Sequence, residues 1–237
     1  MGDEPLLMAD ERAAIGGGRW FAALPPALRH DILRVLRVRR HAAGERIFAQ
    51  GEAATAWMAC AAGAVRVSST TPGGRVLTLT FVRPGRWFGD PPLGAADVRS
   101  HDAWAQGPTT TVSVARGDLL QVLERHPAFA LALVELQRLR LQQAFGLVEE
   151  LASLGLRARL ARQLLHLMRG YGERCRGGEV RIALRLRQHL LAELLGCSRQ
   201  RVNEQLRELA ADQVIRKEKG WLVVRNPVRL AGFAAGE

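Results

Sequence analysis

Three residues within one short stretch, Arg199, Gln200 and Asn203, carry side chains that can pair with the edges of nucleic-acid bases. Arginine can donate two parallel hydrogen bonds to guanine, while glutamine or asparagine can both donate to and accept from adenine. Such pairing needs a rigid element that fits a major groove, with these residues on its leading half. The neighbouring residues predict that element. Ala192 places a small residue inside a first helix, and Gly196, four residues on, permits the positive φ of a tight turn. Val202, six further, supplies an apolar anchor backed by Leu206 and Leu209, and Ser198 is a good N-cap. The expected helices are 187–195 and 198–210. Val214-Ile215 and Trp221–Val224 then predict two strands around the basic tip Arg216-Lys217-Glu218-Lys219-Gly220. The whole reads as a winged helix-turn-helix, with its second helix in the groove. Arg201, Arg207, Arg216, Lys217 and Lys219 are then placed for phosphates.

Other elements must carry this module. Pro25-Pro26 opens a helical pattern with Leu28, Ile32, Leu33 and Leu36 on one face. From about Val38 to Ala115 the texture changes to short β-type runs, among them Arg46–Phe48, Ala64–Ser69, Arg75–Val82 and Thr109–Val114. Glycines punctuate them, and Gly73-Gly74 suits a hairpin turn. This pattern predicts a small all-β roll or sandwich. After Pro127 a leucine-rich helical stripe (Leu133, Leu136, Leu141, Ala144, Val148, Leu151, Leu154) runs for nearly thirty residues until Gly155. A helix of ~40 Å at 1.5 Å per residue is longer than a compact domain needs, so a parallel pairing with its own copy is expected. The rival reading is a helix packed along its own β domain.

Charge separates the same parts. The chain has 237 residues and a formal net charge of +11. Residues 155–237 hold 17 Lys+Arg against 8 Asp+Glu, a net +9, whereas residues 1–154 hold 17 against 15. The excess basicity therefore belongs to the segment with the helix-turn-helix pattern and points to a polyanion there. No apolar run approaches the ~20 residues of a membrane helix, and the acidic start Met1–Asp10 is not a signal peptide. A cytoplasmic protein without a membrane partner is expected. No Gly-rich phosphate loop, metal triad or nucleophile–base pair appears, and Asp90 with His101-Asp102 is too slight to build on, so an enzyme is not expected.

The order of parts resembles the catabolite activator/fumarate–nitrate regulator (Crp/Fnr) superfamily of bacterial transcription factors over about residues 20–230. The resemblance is carried by Gly44-Glu45-Arg46-Ile47-Phe48-Ala49-Gln50-Gly51, Gly63-Ala64-Val65-Arg66-Val67, Pro84-Gly85-Arg86-Trp87-Phe88-Gly89-Asp90 and Val98-Arg99-Ser100. Leu195-Gly196-Cys197-Ser198-Arg199-Gln200-Arg201-Val202-Asn203 completes it. It implies a homodimer on a pseudo-palindromic operator in double-stranded DNA, recruiting or obstructing RNA polymerase. Arg199 matches the family's guanine-reading arginine. Gln200 stands where the best-known members have glutamate, Glu204 where they have a third reading arginine, and Arg187 replaces a threonine cap. A half-site different from the familiar one follows.

The resemblance also implies an effector site in the roll, where backbone N–H groups and an Arg-Ser pair hold a cyclic phosphate. Gly89, Asp90, Arg99 and Ser100 resemble those positions, although the loop is one residue shorter and interrupted by Pro91-Pro92. The base-binding Thr-Ser pair is replaced by Ala144 and Phe145. Phe145 could instead stack on a base, which leaves a cyclic nucleotide or a cyclic dinucleotide open. The rival reading has Arg99 solvated or paired with Asp97 or Asp102. The resemblance implies an iron–sulfur cluster only in the branch with a cysteine cluster near the N-terminus, and the first cysteine here is Cys60. Haem would need an axial ligand; His41, His101, His126 and His166 are scattered candidates without a motif.

The expectation is an α+β chain: a flexible tail (1–19), a cyclic-nucleotide-binding-type β-roll effector domain (20–126), a long dimerisation helix (127–154) and a C-terminal winged helix-turn-helix (155–237). Its function would be that of a homodimeric, sequence-specific DNA-binding transcription regulator with a small effector in the roll. The alternative is a sensor or interaction module of the same type, whose ligand is a cyclic (di)nucleotide or haem rather than cyclic AMP.

Overall fold

The computed structural model describes residues 6–236. They form two compact units. One ends at Gly73 and resumes over Leu79–Gln142; the other holds Gly74–Thr78 and continues from Gln143.

The first unit begins with three helices, α1 (Ala9–Gly16), α2 (Arg19–Ala22) and α3 (Pro26–Arg34). The strands β1 (Arg37–His41), β2 (Arg46–Phe48), β3 (Ala56–Ala62), β4 (Val65–Thr70), β5 (Val76–Val82), β6 (Trp87–Phe88), β7 (Asp102–Ala105) and β8 (Thr109–Ala115) follow. They make two four-stranded sheets, β1-β8-β3-β6 and β2-β7-β4-β5, which is the expected roll. Two-residue periodicity explains how it is filled. On β3, Trp57, Ala59 and Ala61 turn to the helices and join Ile15, Phe21, Leu28, Ile32 and Trp87. Cys60 points the other way and meets Ile47, Phe48, Val65, Val82 and Phe88 in the roll. Burial pushes the Cys60 thiol up to about 12, so it stays protonated.

After α4 (Arg116–Arg125) comes the long helix α5 (Ala128–Ser153). Its first half adds Phe129, Leu133 and Leu136 to the helix-side core. The leucine stripe expected to form one seam is thus divided. Leu133 and Leu136 serve the roll, while Leu131, Val134, Leu141, Phe145, Val148 and Leu151 are exposed.

The second unit continues with α6 (Leu156–Tyr171), β9 (Gly172–Arg174), β10 (Val180–Ile182), α7 (Gln188–Leu195), α8 (Arg199–Ala211), β11 (Ile215–Glu218), β12 (Trp221–Val224) and α9 (Pro227–Ala235). Its sheet runs β11-β12-β10-β9. Leu160, Leu164, Leu191, Val202, Leu206, Leu209 and Leu230 are all fully buried here. Arg162 reaches back to Glu150 at 3.1 Å, tying α6 to the end of α5. Among the described residues no helix is long and apolar enough to cross a membrane.

The N-terminus departs from expectation. Residues 1–5 of the anticipated tail lie outside the described residues, but Ala9–Gly16 is a helix with Ile15 fully buried. The three glycines that suggested looseness include a tight contact. A Cβ on Gly18 would stand 2.1 Å from the Gly85 carbonyl oxygen, and one on Gly85 (φ +80°) 2.5 Å from that of Ala14. Only glycine at both places lets the two backbones touch. Glu11 is 2% exposed. It accepts hydrogen bonds from the Met8 N–H (2.8 Å), the Thr110 hydroxyl (2.7 Å) and Arg40 (2.9 Å).

Burial weighs against the Glu11 charge, but these three donors outweigh it and hold its pKa below the ordinary value of 4.5. A carboxyl whose folded pKa is depressed stabilises the fold at higher pH and loses that contribution as pH falls through the folded value. Glu11→Gln should therefore cost about 1–3 kcal/mol at neutral pH. In thermal melts the gap to the parent protein should close as pH falls below the ordinary carboxyl value of 4.5; a gap independent of pH would contradict this account.

Candidate functional site

The helix-turn-helix forms where expected. α7 ends at Gly196, whose φ of +63° is the left-handed turn anticipated for it. The N–H groups of Gly196 and Cys197 return to the carbonyls of Glu193 (3.2 Å) and Ala192 (3.0 Å), closing the turn. Ser198 caps α8, its hydroxyl accepting from the Arg201 N–H at 3.3 Å. Val202, Leu206 and Leu209 are buried, so the opposite face of α8 turns outward. Ser198, Arg199, Gln200, Arg201 and Arg207 are exposed, and Asn203 is half-buried. Arg199, Gln200, Asn203, Glu204 and Arg207 together line one shallow concavity. The Arg199 Nε donates to the side-chain Oε1 of Gln188 at 3.4 Å, a long contact that leaves the fork of the guanidinium uncommitted.

The wing is a two-residue hairpin. Glu218 pairs with Trp221, and Lys219 (φ +48°) and Gly220 (φ +86°) make its turn. Positive φ at both central residues matches the right-handed twist of the strands. Lys217 and Lys219 are exposed at this tip. Arg216 is not comparable to them. It donates to Glu179 at 2.7 and 3.0 Å and to Glu218 at 2.6 Å, and these bonds raise its pKa further. Glu179 also accepts from Arg225 at 3.1 Å, and its pKa is lowered, chiefly by the Arg216 hydrogen bond. Asp212 is a second anchor, held by Arg157 and by Arg229 at 3.5 Å, while Arg157 stacks on Phe233 of α9 at 4.0 Å. Neither anchor was legible in the sequence, because each joins residues far apart along the chain.

In the first unit, Gly89, Asp90, Arg99 and Ser100 come together. Ser100 donates to Asp90 at 2.8 Å. Gly89 has φ +67°, and a Cβ there would lie 3.0 Å from Arg99 Nη1 and 3.6 Å from Phe48. Arg99 is 5% exposed. Its guanidinium lies 4.3 Å from the Phe48 ring centroid, and Nη2 donates to the Ala56 carbonyl at 2.5 Å. Nη1 is buried with no partner. Burial lowers the Arg99 pKa, against the pull of Asp90 and Glu52. The rival pairings are not formed: Asp97 accepts from the Gly94 N–H and Asp102 from the Gln50 N–H. A buried cation with an unused donor beside a side-chain-free glycine fits an anionic oxygen. Phe145 belongs to the second unit and is 60% exposed on α5.

Sequence reasoning missed Arg140. From α5 it donates to the carbonyls of Trp87 (2.9 Å) and Gly89 (3.2 Å), so it fixes the strand end and turn next to Arg99. Burial lowers its pKa, with Asp90 opposing. The available signal was its spacing, four residues beyond Leu136 on the face that packs on the roll. Among the histidines considered for an axial ligand, His41 uses both ring nitrogens, on Glu45 and Thr111, each at 2.9 Å. His126 meets Asp31 at 3.0 Å.

Two family models match the chain: a cyclic nucleotide-binding domain over residues 38–126 and a Crp-like helix-turn-helix domain over residues 158–233. The "Cyclic AMP receptor protein" of Thermus thermophilus is 33% identical over 221 residues, covering 93% of this chain and 98% of that protein. The "Global nitrogen regulator" of Synechocystis is 30% identical, covering 71% of this chain and 76% of that one. Among solved structures, the Thermus thermophilus catabolite activator protein aligns with a TM-score of 0.51 and 32% identity, covering 92% of this chain and 98% of that one.

Proposed function

The chain belongs to the Crp/Fnr family of transcription regulators, and from that premise we propose that it reads a pseudo-palindromic operator as a homodimer, under control of a phosphate-bearing effector in its roll. Its relatives are transcription regulators rather than enzymes. The observation that carries the DNA reading is α8: one face buried on Val202, Leu206 and Leu209, the other presenting Arg199, Gln200 and Asn203 beyond a capped N-terminus. Arg199 reads a guanine, while Gln200 and Asn203 address adenine or a neighbouring edge. Arg201 and Arg207, with Lys217 and Lys219, hold phosphates; none of these four forms an ion pair with a described residue. Arg216 acts differently, bracing the wing against Glu179 so that its tip is held in place.

Dimerisation is supported by the exposed row Leu131, Val134, Leu141, Phe145 and Val148 on α5. Its three- and four-residue steps give a seam of the coiled-coil kind, with Arg138 the one polar member, engaged by Glu135 in two bonds of 2.6 Å. Each large apolar side chain withdrawn from water there contributes about 1.5–3 kcal/mol, which favours a second copy over solvent. This role gives Phe145 a place in the seam.

The effector reading rests on Arg99. Its unused Nη1 and the open Gly89 turn suit a phosphate oxygen, and the Asp90–Ser100 pair offers an acceptor to a sugar hydroxyl. Cyclic nucleotides and cyclic dinucleotides share that chemistry. Family membership supports RNA polymerase as a partner and a cytoplasmic setting.

Selection of bound fragments from random DNA tests the first part. The parent protein should enrich a two-fold half-site containing guanine, and Arg199→Ala should lose that preference by ~10–100-fold. Lys217→Ala should weaken all duplexes alike and reduce the salt slope by about 1. An unchanged consensus for Arg199→Ala would refute the assignment. Leu141→Arg should convert the dimer to a monomer in sedimentation velocity at micromolar concentration; a parent protein already monomeric there would count against the seam. In calorimetry, one of cyclic AMP, cyclic GMP or cyclic di-GMP should release heat with the parent protein and none with Arg99→Met. No heat with any of the three would dismiss the nucleotide site.

A further inference from the structure

Glu204 is the one acidic residue in the concavity lined by Arg199, Gln200, Asn203 and Arg207. It is exposed, and its carboxylate has no hydrogen bond or ion pair among the described residues. That is unusual in this unit, where Glu179, Glu208 and Asp212 all pair with arginines. Nothing in the fold uses the Glu204 charge, and on a surface that meets phosphates it is repelled. A carboxylate lowered into a groove also loses water and must find a donor there.

The major groove offers such donors only on base edges. Adenine shows its amino group beside the N7 acceptor, which would face the second carboxylate oxygen with a lone pair. Cytosine shows its N4 amino group beside the C–H of C5 on its own edge, and it is the donor with which a carboxylate characteristically pairs. Resting on the DNA reading above, we propose that Glu204 is a specificity-determining residue that accepts a hydrogen bond from the N4 amino group of a cytosine. It lies five residues after Arg199, ~7.5 Å along the helix axis, or about two base steps of 3.4 Å. The cytosine is therefore placed about two base pairs from the guanine read by Arg199. Carboxylate and guanidinium at this spacing make the half-site bipolar, reading an acceptor edge at one end and a donor edge at the other.

The same charge gives the residue a signature that a structural role would not have. Removing it should relax discrimination at one base pair while strengthening binding to unrelated duplexes, because one repulsive charge is gone. Fragment selection with the full-length protein, Glu204→Ala and Glu204→Gln reads both effects, with gel shifts on a non-cognate duplex across salt concentrations. The parent should prefer cytosine at that position by ~10–100-fold. Glu204→Ala should accept all four bases there within a few-fold, keep the guanine, and bind the non-cognate duplex more tightly at low salt. Glu204→Gln should move the preference towards adenine. If Glu204→Ala selects the parental half-site unchanged, the assignment is wrong while the DNA reading stands. If the parent enriches no half-site at all, both fall together.

Discussion

One helix has to satisfy two apolar demands, and the arrangement of the protein depends on how α5 divides them. Phe129, Leu133 and Leu136 complete the core between the helices and the β1-β8-β3-β6 sheet, where Trp20, Trp57 and Trp87 also meet. The helix advances 100° per residue, so Leu131, Val134, Leu141, Phe145 and Val148 cannot reach that core. They form a second row that only another apolar surface can cover. Arg140 lies with the first row and clamps Trp87 and Gly89 by their carbonyls. The helix that carries the row proposed as the seam between copies thus also holds the turn that would face a ligand. That shared element gives effector binding a physical route to the dimer, provided the ligand favours one of two arrangements.

Charge is allocated as strictly as apolar area. The C-terminal unit is rich in arginine, yet Glu179, Glu208 and Asp212 engage Arg157, Arg216, Arg225 and Arg229. Those pairs fasten the wing and α9 to the rest of the unit. On α8 and at the wing tip the cations without an ion pair among the described residues are Arg199, Arg201, Arg207, Lys217 and Lys219. The half-exposed pairs contribute modestly to stability, since water screens them. Their effect is to withdraw Arg157, Arg216, Arg225 and Arg229 from the free cations of the unit.

The roll shows the opposite economy. Arg99 is buried and left with a nitrogen that nothing in the protein uses, while Gly89 beside it withholds a side chain. A buried unsatisfied donor costs about 1–3 kcal/mol, a cost that an incoming anionic oxygen would relieve. Differential binding of that kind is what an effector-controlled element requires.

The roll, the long helix and the winged helix-turn-helix were legible in the sequence because local pattern determines them. Two-residue alternation between glycines makes strands, and Ala192, Gly196, Ser198 and Val202 act within one turn of chain. The outward side chains of α8 could be named for the same reason, since cap and buried stripe fix which of them face away from the core. Three things only the tertiary structure decided. It made a packed helix of residues 9–16, whose anchors Gly85, Arg40 and Thr110 lie far away in sequence. It divided the leucine stripe of α5 between roll and solvent, since a stripe does not say what it faces. It paired Arg216 with Glu179 and set Arg140 on the carbonyl of Trp87, because an arginine's partners depend on which acidic or carbonyl oxygen folding brings within 3 Å. Sequence specifies the elements through contacts a few residues apart; the partners of long, charged side chains are fixed only when distant segments meet.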